Sequence, residues 1–257
     1  VNETIRVIQN RRSVRAYEDR PIDRDTVDLI IHSAMRAPTA GNLMLYSIIE
    51  VQDQTIKQKL VKSCDNQPFI AKAPLVLLFL ADYQRWFDVF IASDVESYCE
   101  AEGKEIRVPG EGDLLLACCD ALIAAQTAVI AAESLGVGSC YIGDIMENYE
   151  HHKELFDLPQ YVFPITLLCF GYPKTTLSAK ELAPRFLQEY IHFENTYKRF
   201  DKTALDKMLE SRDPQRYFGN ATNVGQHYYA RKFSADFSIE MTRSVRQAIR
   251  TWAAHDQ

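Results

Sequence analysis

The sequence predicts an α+β protein, with a central sheet covered by helices around one apolar core. Three observations carry this. The run Leu75–Ala81 is continuously apolar, Phe163–Phe170 is largely so, and both end at turn signals, as in strands buried on both faces. Longer segments repeat apolar residues at helical spacing. Apolar residues make up 47% of the 257 positions, enough for a substantial core in a single domain.

Asn2 is placed to cap a first helix running to about Asn10, with Ile5 and Ile8 on one face. Pro21 and Asp23 open a second helix, striped by Val27, Ile30, Ile31 and Ala34. Pro38 closes it, because the residue before a proline is pushed out of the helical region. The loop Thr39-Ala40-Gly41-Asn42 leads to a strand from Tyr46 to Val51. Asp53 to Cys64 reads as an amphipathic helix, Asp65 to Pro68 as a polar loop, and Trp86 to Tyr98 as one helix. The charged stretch Glu102 to Gly112 carries glycine and proline and reads as a surface loop.

Asp113 is expected to cap a long buried helix, Leu114 to Leu135, with Gly136 as its left-handed terminator. Asp120, Gln126 and Glu133 interrupt this stretch, which argues against a membrane span. Ser139 to Gly143 is a short strand or extended turn. His151 and His152 fall in a helix with no partner in view and read as surface residues. From Phe193 onward the chain is polar and aromatic, with helical patterns near Thr203–Glu210 and Ile239–Trp252. Its many aromatics argue against disorder. An excursion without a core of its own is expected to wrap another surface, this subunit's or a partner's.

The net charge of −6 argues against a general nucleic-acid or membrane-surface role. The six cysteines form no C-x-x-C pair and no Cys/His metal spacing. They read as reduced core residues of a cytoplasmic protein, with no metal site. Vicinal Cys118-Cys119 reads as structural, since helix neighbours point about 100° apart. No secretory leader pattern is visible at the start.

Against this acidic background stands Arg11-Arg12-Ser13-Val14-Arg15. Three guanidiniums and a hydroxyl within five residues suit the oxygens of a small phosphorylated ligand. The run follows no strand and holds no glycine, so it is neither a P-loop nor a dinucleotide fingerprint. A solvated basic face is the competing reading of the run alone.

Further segments line up behind it. They are Ala37-Pro38-Thr39-Ala40-Gly41-Asn42, Asn66-Gln67-Pro68-Phe69 before Ala73-Pro74, Ala131–Gly138 leading into Tyr141-Ile142-Gly143, Phe170-Gly171-Tyr172-Pro173, and Pro184-Arg185. The ordered set resembles the FMN-dependent nitroreductase family. The tail, with Tyr228-Tyr229-Ala230-Arg231-Lys232, looks most like its branch of NAD(P)H-dependent flavin and nitro reductases. The resemblance covers nearly the whole chain. It implies one domain over residues 1–257, with a mixed sheet flanked by helices. It also implies a homodimer with FMN at the subunit interface, and residues 193–257 as an extension around the partner.

By the same resemblance, Arg11, Arg12 and Ser13 lie near the phosphate and ribityl chain, and Arg15 reaches the ribityl and pyrimidine end. A cation there stabilises the anionic reduced ring. Arg185 closes on the phosphate. The family often has Lys two positions before this Arg; here that position is Ala183, with Lys180 a candidate substitute. Pro38, Thr39, Ala40 and Asn42 match a loop beside the ring, and Gln67 and Phe69 a segment near ribityl chain and ring. Tyr141, Ile142 and Gly143 match the segment against the other face, where Gly143 lets a backbone N–H approach. Core packing is an equal reading of Tyr141. No side chain is assigned as a general acid; the flavin carries the chemistry.

The implied reaction passes hydride from NADPH or NADH through the flavin to nitroaromatics, quinones or free flavin, by a ping-pong route. Arg212, Arg216, Arg231, Lys232 and Arg243 include candidates for a nicotinamide cofactor's 2′-phosphate; solvated or inter-subunit charge is the favoured reading of them. Two alternatives stand beside the reductase: a reductive dehalogenase-like enzyme on the same scaffold, and a non-enzymatic FMN-binding or interaction protein.

Overall fold

A computed structural model of the chain describes residues 1–174, 182–212, 214 and 216–254. The chain divides into two units, Val1–Ala179 with Glu240–Gln257, and Lys180–Ile239.

In the first unit, α1 (Glu3–Asn10) begins where the Asn2 side chain accepts the Ile5 N–H. α2 (Arg24–Met35) begins where Asp23 accepts the Thr26 N–H. A 3-10 turn, Ala40–Asn42, leads to β1 (Tyr46–Glu50). Asp53 caps α3 (Gln54–Ser63) by accepting from Thr55 and Ile56. Then follow α4 (Phe69–Lys72), β2 (Leu75–Asp82), α5 (Gln84–Ala92) and α6 (Val95–Ala101). After these come α7 (Glu111–Ser134), β3 (Gly138–Ile142), a 3-10 turn (Gly143–Met146), α8 (Tyr149–Leu155) and β4 (Val162–Gly171).

The second unit holds α9 (Lys202–Leu209), α10 (Val224–Tyr228) and a π turn over Tyr229–Phe233. α11 (Asp236–Trp252) starts there and ends in the first unit.

The strands form one sheet in the order β1-β2-β4-β3, and each pair is antiparallel. This departs from the mixed sheet that the resemblance implied. Among the described residues the one parallel pairing is an isolated bridge, Ser13 to Ser139. β2 is buried along its whole length, as its continuous apolar run predicts. Successive side chains serve opposite faces. Val76, Leu78 and Leu80 pack with Leu60, Ile70 and Cys169 on one side. Leu77 and Phe79 pack with Ile30, Ala34 and the alanines of α7 on the other. Ala248 and Trp252 of α11 join Leu114, Tyr149 and Phe163 at one end, so this part of the 193–257 extension has its home in its own chain.

Several local readings change. The helix expected over Trp86–Tyr98 is two, broken at Asp94, which takes φ 53° and accepts a hydrogen bond from Ser97 Oγ at 2.9 Å. Asp tolerates the left-handed region because its short side chain bonds locally. The polar loop after Cys64 runs into α4, which was too short for a periodic signal. Asp113 does not sit at the cap of α7 but at its third position, accepting the Gly110 N–H at 2.8 Å and the Arg107 guanidinium. α7 itself is long and apolar enough to cross a membrane, yet buries only one face, through Ala117, Ala121, Ala124 and Ala128. Leu115, Leu116, Leu122 and Ile123 are exposed. Gly136 does end it, with φ 75°.

The cysteines are all free, and Cys64, Cys140 and Cys169 lie in the core as read; Cys119 is exposed. His152 is no surface residue but fully buried. Its Nδ1 lies 2.9 Å from the Ile145 carbonyl and its Nε2 2.8 Å from Ser63 Oγ. A carbonyl only accepts, so Nδ1 carries the proton and Nε2 accepts from the serine. His151 next to it is exposed.

Two glycines are set by close approach. A Cβ at Gly138 would stand 2.5 Å from Val14 Cγ2, and one at Gly171 would stand 2.5 Å from the Tyr17 ring. Gly171→Ala should destabilise the protein by about 1–3 kcal/mol, because a rigid ring and Pro74 must both move. Unchanged thermal unfolding would refute this packing.

Burial, with His151 adding to it, lowers the His152 imidazole from 6.5 to about 4. The unfolded chain therefore binds a proton at higher pH than the native one. The His152 contribution to stability should be intact above 6.5 and be lost as pH drops toward about 4, by on the order of 3 kcal/mol. Denaturant titrations should show this slope reduced in His152→Gln; an equal slope in both proteins would exclude His152 as its source.

Candidate functional site

Arg11–Arg15 leaves α1 as extended chain beside β3. Val14 N–H donates to the Ser139 carbonyl at 2.8 Å, and Tyr17 bridges to Pro173. Tyr17 hydroxyl donates back to the Val14 carbonyl at 2.9 Å. Extended chain alternates its side chains. Val14 is buried, and Ser13 and Arg15 face outward, while Arg11 and Arg12 are half-buried.

The cations act on the strand beneath them. Glu133, at the end of α7, accepts from Ser139 Oγ at 3.2 Å. Burial raises its carboxyl, and the Ser139 bond, Arg11 and Arg12 oppose the rise. Burial raises the Cys140 thiol as well, with Arg15 and Ser13 opposing. Arg11 and Arg15 form no ion pair among the described residues.

Arg15 Cζ lies 5.9 Å from the Phe69 ring centre, within cation–π range. Phe69 is buried at the start of α4. Just before it, Gln67 Nε2 donates to Asp144 Oδ2 at 2.8 Å and to the Cys64 carbonyl at 3.0 Å. Asp144 follows Gly143. No heavy atom lies within 4 Å of where a Gly143 Cβ would stand, so the backbone there borders open space. Ile142 is buried. Tyr141 is half-buried, and its hydroxyl donates to Gln126 Oε1 at 3.2 Å. Burial pushes its phenol up to about 12, with Arg11 opposing. Arg11, Arg12, Ser13, Arg15, Gln67, Phe69, Tyr141, Ile142 and Gly143 thus converge on one edge of the sheet.

Pro38, Thr39, Ala40 and Asn42 belong to a loop built around one carboxylate. Asp120 of α7 is buried. It accepts from Thr39 Oγ1, from Ala40 N–H at 3.0 Å and from Leu45 N–H at 3.1 Å. Gly41 and Asn42 take φ 54° and 59°, which the tight turn requires. Among the described residues no hydrogen bond joins this loop to the β3 edge. α7 carries both: Asp120 holds the loop, and Glu133 stands under the arginines about 20 Å along the helix.

Arg185 lies exposed in the Lys180–Ile239 unit, donating to the Ala183 carbonyl at 3.3 Å. Lys180 is outside the described residues. In that unit Arg216 and Arg231 line a cavity of about 470 Å³ with Tyr217, Phe218 and His227. Arg212 stacks on Phe186, and Lys232 on Phe237. Arg243, by contrast, is held by Glu150 and Glu240 in the first unit.

Sequence reasoning missed Asp120, Glu133 and Asp144 as parts of this arrangement. A signal existed for the first two. Each is an acid in an otherwise apolar helix, and a buried acid needs partners.

A family model described as Nitroreductase family matches residues 8–172. The chain is 35% identical over 223 residues to a Bacillus subtilis protein named FMN reductase (NAD(P)H), covering 87% of this chain and 86% of that one. It is 31% identical to a Salmonella typhimurium protein named oxygen-insensitive NADPH nitroreductase, covering 82% and 81%. The solved structure of B. megaterium NfrA2 superposes with a TM-score of 0.78 at 30% identity, over all of both chains. On the family match and these relatives, the chain belongs to the Nitroreductase family.

Proposed function

We propose that this chain is an NAD(P)H-dependent flavin and nitro reductase that holds FMN against the β3 edge. One observation carries the reading: three arginines and a serine lie on a segment pinned along β3, with Ser13 and Arg15 exposed and Arg15 beside Phe69, and β3 leads to open space at Gly143. The donor set fits FMN. It offers guanidinium forks for a phosphate, a hydroxyl for the ribityl chain, and a wall without a Cβ for a flat ring.

FMN, when bound, supplies hydride acceptance and donation at its ring N5. Arg11, Arg12 and Ser13 hold the phosphate and ribityl oxygens. Arg15 keeps a fixed positive charge at the pyrimidine end, where negative charge develops on reduction. Gln67 and Phe69 flank the ribityl chain and ring. Tyr141, Ile142 and Gly143 wall one face. The loop Pro38, Thr39, Ala40 and Asn42, fixed by Asp120, borders the ring edge. No side chain needs to titrate.

NAD(P)H and the acceptor, a nitroaromatic, quinone or free flavin, take turns in one slot. The exposed apolar face of α7 supports docking of a second copy of the chain. The free cysteines support a reducing, cytoplasmic setting.

The FMN-loaded protein should be yellow and should bleach on anaerobic addition of NADPH; colourless protein that ignores added FMN would remove the reading. Arg15→Ala should weaken FMN binding about 10- to 100-fold, as loss of charge-assisted hydrogen bonds does. Initial-rate plots should be parallel, and intersecting plots would exclude the shared slot. Arg216→Ala and Arg231→Ala should lower NADPH turnover relative to NADH if the cavity they line takes the 2′-phosphate; equal ratios would clear both.

A further inference from the structure

Behind the Gly143 wall lies a set of polar groups that the mechanism above does not use. Glu147 follows the 3-10 turn and is only 5% exposed. Its amide donates to the Asp144 carbonyl at 3.0 Å, and the Asp144 carboxylate stands close enough to push the Glu147 carboxyl up. Asp144 Oδ2 in turn accepts from Gln67 Nε2 at 2.8 Å. Three side chains therefore run in series from the interior to the segment that carries Phe69.

Two neighbouring buried carboxyl groups disfavour a second charge, and since a carboxylate only accepts, one of the two must carry a proton for them to bond. The geometry says which one holds it. Glu147 Oε1 is buried with no hydrogen-bond partner. As a charged oxygen it would stand uncompensated in a dry place; as the carbonyl oxygen of a neutral acid it costs far less.

The surrounding charges agree. Burial, then Asp144, Asp65 and Glu240, push the Glu147 carboxyl up to about 8. The groups from neighbouring elements offer no relief. Cys64 of the α3 terminus is a thiol pushed up to about 12 by burial, and buried His152 of α8 is neutral. Arg243 of α11 is committed to Glu240 and Glu150.

We propose that Glu147 is a positioning residue: as a neutral acid it donates to Asp144, which holds Gln67 in place for the cofactor, and its ionisation releases Gln67. The proposal rests on the FMN reading and deepens it. With Glu147 charged, Asp144 faces a second carboxylate, and repulsion displaces the acceptor that fixes the Gln67 amide.

The test reads FMN dissociation constants by flavin fluorescence as pH rises from neutrality through about 8, together with thermal unfolding of the FMN-free protein. The wild type should lose about tenfold in FMN affinity across this range, the size of one charge-assisted hydrogen bond. Glu147→Gln, whose amide donates as the neutral acid does, should show no such inflection. A raised carboxyl stabilises the fold most at low pH, and that gain is lost as pH climbs from the ordinary carboxylate range through about 8. Gln67→Ala should therefore keep the pH dependence of unfolding yet lose the inflection in FMN affinity. A purely structural Glu147 would leave the inflection in Gln67→Ala, and this overturns the proposal. Identical profiles in wild type and Glu147→Gln overturn it too. Failure of the wild type to bind FMN at neutral pH would instead sink the cofactor reading beneath it.

Discussion

The contact on which the site depends is the passage of Val14 and Tyr17 over Gly138 and Gly171. Any side chain at either glycine would fill the space that the N-terminal segment occupies. Because both lack a Cβ, Val14 can reach the Ser139 carbonyl, and Tyr17 can close its hydroxyl onto Val14. The segment is thereby held extended, and extension sets the alternation that turns Ser13 and Arg15 outward while Val14 is buried. A helix or free loop with the same residues would scatter those guanidiniums. Fixing them in advance lowers the ordering cost of gripping an anion.

The second constraint is the use of buried carboxyl groups as fasteners. Asp120 gathers the loop after α2 through two backbone N–H groups and a hydroxyl. Asp113 closes the start of α7 with Gly110 and Arg107. These carboxylates are satisfied by donors, so their burial organises the chain around them. Glu147 is the exception. Its neighbours are acidic and one of its oxygens has no partner, and that difference separates a fastener from a group that answers to pH.

The regular elements were largely legible in the sequence because local chemistry decides them. Asn2, Asp23 and Asp53 cap the helices they precede, and the apolar runs at Leu75 and Phe163 became the two central strands. Where the reading failed, the deciding partner lay elsewhere in the chain or the segment was too short. α4 spans four residues, too few for a period. The break at Asp94 turns on one residue's backbone. His152 looks exposed until Ile145 and Ser63 are brought to its two ring nitrogens. Among the site residues, Arg11 to Arg15, Gln67 to Phe69 and Tyr141 to Gly143 were singled out by type and order, but nothing local shows that they meet.

By itself the sequence determined the starts of α1, α2 and α3, the buried strands, the cation-rich segment and the family pattern, since each depends on residues within a few positions of one another. Tertiary structure alone decided the antiparallel strand order, the seating of Arg15 beside Phe69, and the joining of Asp120 to Thr39 and of Asp144 to Gln67. Those pairs are separated by 81 and 77 residues. Their contacts exist only once the sheet and α7 have packed, because packing is what removes water and makes a distant polar partner necessary.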